Sequence, residues 1–272
     1  MLAPGALCVA LTPRTIDEVF SADLSGADCI EVRLDYLNNP GESVLARWDK
    51  LPVPVIATCR GKERGGRFEG SIDEEIRLLQ YAAENGARFV DIDYRFARPF
   101  VGAQVIASFH DFDGTPENLV SLMDRVCAAP AQIAKIATLV KSWTDNRRLL
   151  ELLSRSWAKP VIVAGMGEIG QITRVIGPSR GSFLSYAGLA ANATAPGQLS
   201  VADLKAGKHG ICGHVDVSDA FGQSSHWDPG PFFPWGKFMG WVRAAAADLQ
   251  KPAPAPAKPA AKPVVKKATP DA

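Results

Sequence analysis

A single lysine interrupts an otherwise apolar run, QIAKIA at residues 132–137. In a strand, Lys135 shares one face with Ile133 and Ala137, because side chains alternate between the two faces. Burial and neighbouring arginines would favour the neutral amine, which can attack a ketone and form an imine. The resulting iminium withdraws electrons and makes an adjacent C–H acidic. An edge-strand lysine that prevents aggregation is the alternative explanation of this position.

His110 is the only histidine in residues 1–206 and follows a predicted strand. With an ordinary pKa of about 6.5, an imidazole can take up and return protons at neutral pH. A lone histidine in such a place is more often a structural hydrogen-bonding residue. However, its strand directly precedes the strand of Lys135, and consecutive strands are neighbours in a barrel. We therefore predict that His110 is the acid–base partner of Lys135.

Four more charged residues lie in or after predicted strands, where apolar side chains are expected. Glu31 and Arg33 are two residues apart and share a face, Arg60 follows the third strand, and Arg174 lies beyond the seventh. Their excess of positive charge favours an anionic substrate, and a guanidinium fork suits a carboxylate. Alternatively, these residues only form ion pairs in the mouth of the fold.

Short apolar segments alternate with amphipathic segments along residues 1–206, which indicates strands that alternate with helices. Eight such units in about 200 residues predict a (β/α)8 TIM barrel, with an open doubly wound sheet as the alternative. The carboxyl ends of barrel strands meet at one face, where the charged residues would converge. The predicted strands are Leu7–Leu11, Cys29–Arg33, Val53–Cys59, Phe89–Asp93, Gln104–Ser108, Gln132–Ala137, Pro160–Ala164 and Ser182–Tyr186.

Helix starts are indicated by hydroxyl residues that precede a carboxylate by three positions. Thr115 before Pro116 predicts another start, with proline in the first turn. The connection Arg95–Gly102 is too short and weak to predict a helix. The hydroxyl residues of the first kind are Thr15, Ser71, Ser142 and Ser200.

The composition of the 272 residues is ordinary for a globular protein, with 47% hydrophobic and 22% charged residues. The 30 basic and 29 acidic residues give a net charge of +1, which argues against nucleic-acid binding. No apolar run approaches the roughly 18 residues of a membrane-spanning helix, and the first residues predict a strand rather than a signal peptide. Five widely spaced cysteines without a CxxC motif indicate free thiols and a cytoplasmic protein.

Changes in composition predict three parts of the chain. Residues 1–206 would form the catalytic barrel, and residues 207–250 a Gly- and aromatic-rich extension of unknown structure. Residues 251–272 contain mostly Lys, Pro and Ala, which predicts a disordered tail. Cys212 lies between His209 and His214, but that spacing does not suit a closed zinc site.

Taken together, the motifs resemble the type I 3-dehydroquinate dehydratase family, and they follow the family order over about residues 5–206. The resemblance implies a (β/α)8 barrel, usually dimeric, that uses no metal or cofactor and binds neither nucleic acid nor membrane. It implies a lyase that converts 3-dehydroquinate to 3-dehydroshikimate in the third step of chorismate and aromatic amino-acid biosynthesis. The motifs are EVRLD at residues 31–35, TCR at 58–60 before Gly65 and Gly66, SFHDF at 108–112, KIA at 135–137, Met166 and Gly167 before Arg174, and APGQ at 195–198.

The resemblance also implies roles for single residues. Lys135 would form the imine and His110 would be the general acid and base. Three residues would bind the hydroxyl side of the substrate, and three would bind its carboxylate. The first set is Glu31, Arg33 and Arg60, and the second is Arg174, Thr194 and Gln198.

Three positions depart from the family pattern, and one of them is Ala164, where a methionine or serine is frequent. Arg64 stands where a glutamate usually orients the histidine, and Arg180 stands where a phenylalanine is frequent. We expect Arg64 to lower the pKa of His110, unless the loop shifts so that Glu63 replaces the missing carboxylate. Two alternatives to the main hypothesis remain. One is another aldolase-type Schiff-base barrel, and the other is a catalytically weak homologue whose extension binds a partner.

Overall fold

Eight parallel strands surround a shared interior in the computed structural model, which describes residues 2–189, 198–201 and 204. Strands β1 to β7 pair in chain order, and β8 pairs with β1. The backbone N–H of Phe183 donates to the Val161 carbonyl at 2.8 Å, which joins the two ends of the sheet into a nearly closed barrel. The predicted (β/α)8 barrel is therefore confirmed. The strands are β1 Ala6–Leu11, β2 Cys29–Arg33, β3 Val55–Thr58, β4 Phe89–Asp93, β5 Gln104–Asp111, β6 Ile133–Leu139, β7 Val161–Met166 and β8 Leu184–Gly188.

Strands β5 to β8 extend further at their carboxyl ends than the sequence predicts. His110 pairs with Ala137, and Asp111 pairs with Thr138, so the polar residues after the apolar runs still belong to the ladder. Strand β3 is shorter than predicted and begins at Val55, after Pro54. Because the extended ends lie at one face, they hold the polar side chains on regular strands rather than on loops.

The described residues contain five α-helices. The predicted caps at Thr15, Ser71 and Ser142 are confirmed, and the last two form complete capping boxes. The predicted start at Thr115 is wrong, because its hydroxyl donates to the Leu139 carbonyl at 2.9 Å and ties the loop to β6. As expected, no helix joins β4 to β5. The helices are α1 Ile16–Phe20, α2 Ile72–Glu84, α3 Leu119–Ala128, α4 Trp143–Leu153 and α5 Gln171–Ile176.

The strands are buried on both faces, and the two faces differ. Along β6, Ala134 and Ile136 pack with apolar residues of α3 and α4, whereas Ile133 faces the barrel interior. Apolar side chains such as Ile106 and Ile162 fill the amino-terminal half of that interior. The polar side chains occupy the carboxyl-terminal half, where barrel enzymes have their active sites. None of the helices in the described ranges is long and apolar enough to cross a membrane.

Candidate active site

Lys135 lies inside the barrel with only 4% of its surface exposed. Its Nζ donates to Asp91 Oδ2 at 2.8 Å and lies 3.6 Å from Glu31 Oε1. The ring centroid of Tyr186 is 4.2 Å from the same nitrogen. The expectation that arginines surround the amine is wrong, because its nearest charged partners are two carboxylates. The nitrogen acts as a nucleophile only through a free lone pair, so an ammonium at this position must first give up one proton.

Asp91 is a buried carboxylate that joins its own strand to β5, to β6 and to Arg60, which follows β3. It lies on β4 and accepts hydrogen bonds from Arg60 Nη2 at 2.9 Å and from Ser108 Oγ at 2.7 Å, besides that from Lys135. Burial alone would raise the pKa of this carboxyl, but Lys135 and Arg60 hold it below its usual range. Asp91 is not among the site residues predicted from the sequence. The available signal was a charged residue two positions after Phe89 in a strand buried on both faces, the same signal that revealed Lys135.

Carboxylates also neutralise most of the positive charge on β2 and β3. Arg33 forms a two-point contact with Asp35, at 2.8 and 2.7 Å, and Arg60 pairs with Asp91. Glu31 accepts a hydrogen bond from Thr58 Oγ1 at 2.8 Å. Arg33 and Arg60 thus form ion pairs, as the alternative interpretation expects. Their partners are Asp35 and Asp91, which are not among the four charged residues considered there.

Arg174 is the exception among the buried cations. It is 4% exposed, and its guanidinium donates to the carbonyls of Gly165 at 3.2 Å and Tyr186 at 3.3 Å. Within the part of the chain that the structure describes, it has no carboxylate partner. Burial lowers the pKa of Arg174 to about 10, which leaves it charged at neutral pH. A buried cation of this kind provides a strong site for an anion.

His110 lines the same cavity from β5 and is half-buried. Its ring stacks on Phe112, with centroids 6.1 Å apart and planes at 16°. Burial, followed by the charges of Arg60 and Lys135, lowers the pKa of His110 well below its usual value. The imidazole is therefore neutral at pH 7 and can accept a proton.

Arg64 does not lie in this cavity. Its Nη2 is 2.5 Å from Glu75 Oε2 and 2.9 Å from Glu63 Oε1, and its guanidinium lies 5.2 Å from the Phe96 ring centroid. The direction expected for the pKa of His110 agrees with the structure, but the expected cause does not: burial, Arg60 and Lys135 dominate. The Glu63 side chain is 69% exposed and paired with Arg64.

Arg180 lies at the opposite end of the barrel from the cavity. It is exposed and precedes the amino end of β8, whereas the cavity residues lie toward the carboxyl ends. The length of a strand therefore separates Arg180 from Lys135, and this departure from the family pattern does not contact the cavity.

Seven of the eight predicted site residues line one cavity at the carboxyl end of the barrel. Thr194 lies outside the described residues. The cavity also includes Tyr36, Phe112, Met166 and Tyr186, none of which was predicted as a site residue. The seven predicted residues are Glu31, Arg33, Arg60, His110, Lys135, Arg174 and Gln198.

The fold and this cavity define a (β/α)8-barrel enzyme, with a buried amine and an imidazole on adjacent strands. The chain belongs to the type I 3-dehydroquinase family, whose sequence model matches residues 7–209.

Relatives and solved structures agree with this assignment. The chain is 34% identical over 214 residues to a 3-dehydroquinate dehydratase of Methanococcus maripaludis (strain C5), covering 73% of this chain and 96% of the relative. It is 36% identical over 208 residues to that of Methanothermobacter thermautotrophicus, covering 72% and 92%. The crystal structure of the type I enzyme from Clostridium difficile with covalently modified comenic acid matches with a TM-score of 0.64 and 26% identity, covering 75% and 90%.

Proposed function

We propose that this barrel dehydrates 3-dehydroquinate to 3-dehydroshikimate through an imine on Lys135, as a lyase of the shikimate pathway. The observation that carries the proposal is the buried Lys135 amine, which shares one cavity with the neutral His110 in a chain of this family. The reaction releases one water molecule and has no net change in oxidation state, so it needs only proton transfers and the amine.

The first step is condensation of the Lys135 nitrogen with the C3 ketone. The ammonium gives up a proton, the free lone pair forms the N–C bond, and the carbonyl oxygen leaves as water. In sum, an ammonium and a ketone become an iminium and water, and the single positive charge stays on nitrogen. Asp91 and Glu31 keep the nitrogen positioned before the attack.

The second step removes a proton from C2, which the iminium has made acidic. His110 accepts this proton because its lowered pKa keeps the imidazole neutral. It then returns the proton to the C1 hydroxyl, which departs as water and leaves the double bond. Hydrolysis of the iminium consumes one water, frees the product and restores Lys135.

The charge pattern assigns two sides to the cavity. Arg174 has no carboxylate partner among the described residues, so we place the substrate carboxylate there, with Gln198 and Thr194. On the other side, Arg33 and Arg60 are already neutralised by carboxylates. We place the substrate hydroxyls against Glu31, Arg33 and Arg60, where hydrogen bonding is needed but extra positive charge is not.

Two measurements test this function. Adding 3-dehydroquinate should produce the ultraviolet band of a conjugated enone. Borohydride added with substrate should reduce the imine and add one ligand mass to the peptide that contains Lys135. Lys141, which is exposed and follows the same strand, is the matched control. Labelling at Lys141, no labelling, or labelling that persists in Lys135→Ala would contradict the assignment, and a cleaved carbon–carbon bond would indicate an aldolase-type reaction.

The organisation of the chain belongs to the same proposal. We place the catalytic barrel in residues 1–206, an extension in 207–250 and a tail in 251–272. A cytoplasmic location is supported by four cysteines without a disulfide among the described residues, namely Cys8, Cys29, Cys59 and Cys127. We also propose a homodimer, which light scattering coupled to size-exclusion chromatography tests directly.

A further inference from the structure

Tyr186 is one of the cavity residues to which the mechanism above gives no role. It lies on β8, is 5% exposed, and faces the barrel interior beside Cys8 of β1. The centroid of its ring is 4.2 Å from Lys135 Nζ. The face of an aromatic ring attracts a cation at this distance, and the attraction is strongest where water is excluded.

The partners of the nitrogen change during the reaction. As an ammonium, Lys135 has three N–H groups, and two carboxylates lie within reach, Asp91 at 2.8 Å and Glu31 at 3.6 Å. As an iminium, the nitrogen keeps its positive charge but has only one N–H. It can then donate to one acceptor at a time. A contact with a ring face does not depend on the number of N–H groups, so this contact persists.

We propose that Tyr186 is a further catalytic residue, whose ring face stabilises the positive charge on the Lys135 nitrogen in the iminium. This inference rests on the imine of the proposed function. The phenol does not serve as the base, because burial and the charge of Glu31 raise the pKa of Tyr186 well above its usual value and keep it protonated.

Replacing Tyr186 by Phe separates the role of the ring face from the role of the hydroxyl group. This oxygen is buried and has no hydrogen-bond partner within the described residues. Tyr186→Phe therefore removes no hydrogen bond to the described residues and removes a buried polar group, so we expect an unchanged or higher melting temperature. The Phe variant keeps the ring face and should keep most of the activity.

The test replaces Tyr186 in the full chain by Phe and by Phe carrying one, two or three ring fluorines. Fluorine withdraws electrons and weakens the negative ring face while it changes the shape little. We expect kcat for enone formation to fall stepwise, by about 10- to 30-fold over the series, together with the fraction of imine trapped by borohydride. A 30-fold change corresponds to about 2 kcal/mol, the size of a desolvated cation–π contact.

The matched control is the same fluorination at Phe89, which also lies inside the barrel but at its amino-terminal end. We expect no change in kcat there. A flat series at Tyr186, or a series that lowers only the melting temperature, would overturn the role of the ring. Failure of the proposed function gives a different result: the unmodified enzyme would form no enone and would not be trapped.

Discussion

Arg64 and Glu75 form a buried ion pair, with 2.5 Å between Nη2 and Oε2, that ties the loop after β3 to α2. This loop begins with Arg60 and folds back tightly on it: a Cβ on Gly66 would lie 1.9 Å from the Arg60 carbonyl oxygen. The ring of Phe112, which stacks on His110, packs against Gly65 in the same loop. The guanidinium of Arg64, at the position where the family usually has a glutamate, therefore points to α2. The loop still presents Arg60 to the cavity.

The first prediction concerns the pKa of His110 in the free enzyme. Arg64→Met should leave it nearly unchanged, because Arg64 lies outside the cavity and is paired with the exposed Glu63, whereas Arg60 and Lys135 are the cations that lower this pKa. Arg60→Met should raise it, because Arg60 is the largest charge contribution to its lowering. Titration of the histidine ring protons by NMR, assigned with His110→Asn, measures both. Equal upward shifts in the two variants would show that Arg64 acts on the imidazole after all.

The second prediction is a pH-dependent stability at Glu75. Burial raises its pKa to about 7 from an ordinary 4.5, although Arg64 and Arg60 oppose the shift and Glu63 adds to it. Between these values the folded state holds the proton that the unfolded chain has lost, so stability falls as pH rises. Relative to Glu75→Gln, the natural chain should lose roughly 1–3 kcal/mol from pH 5 to 7.

Urea unfolding of both chains at several pH values measures this difference. Glu151→Gln, at an exposed position of α4, is the control and should show no such trend. A difference that stays constant with pH, or that favours the natural chain more at higher pH, would mean that Glu75 is ionised throughout.

The third prediction concerns Asp91. Asp91→Asn should lower the free energy of unfolding by about 3–5 kcal/mol, because it leaves the buried Lys135 and Arg60 without their shared carboxylate. Asp49→Asn breaks the exposed pair with Arg47 and should cost less than about 1 kcal/mol. Urea unfolding at pH 7 compares the two. Equal losses would argue against Asp91 as the central electrostatic partner.

The fourth prediction concerns the end of the chain. Cutting it after Gln250 should leave the melting temperature and the enone activity unchanged, because residues 251–272 are too polar and proline-rich to form a core. Cutting after Ala206 should lower solubility, since it also removes the aromatic residues of 207–250. A large loss of activity in the first truncation would mean that the tail binds to the barrel.

The fold could be predicted because each barrel strand can be recognised from its own short segment of sequence. Runs such as Cys29–Arg33 and Phe89–Asp93 are short and separated by amphipathic segments, and both were predicted with their observed bounds. The end of β5 was not predicted, because His110 and Asp111 are polar while their pairing depends on the neighbouring strand β6. Pairing across strands is a tertiary property that a single segment does not contain.

Site residues could be predicted only where a charged residue lies in or directly after a predicted strand that should be apolar. Lys135 stood out for that reason, and Asp91 carries the same signal in the strand Phe89–Asp93 but was not predicted as a site residue. The partners of each charge could not be predicted, since Lys135 and Asp91 are 44 residues apart and meet only through the barrel register. The same holds for Arg64, whose direction depends on where α2 places Glu75.

The last prediction concerns Arg174. Its buried guanidinium donates to two carbonyls and has no carboxylate partner in the described ranges, so we expect it to bind the substrate carboxylate. Arg174→Met should raise KM for 3-dehydroquinate about 100-fold, as expected for the loss of a charge-assisted two-point contact. The same variant should be as stable as the natural chain or more stable, because it removes a buried charge. Arg155→Met, at an exposed position, should change neither quantity. An unchanged KM would place the substrate carboxylate elsewhere, and a marked loss of stability would show that Arg174 has an anionic partner within the protein.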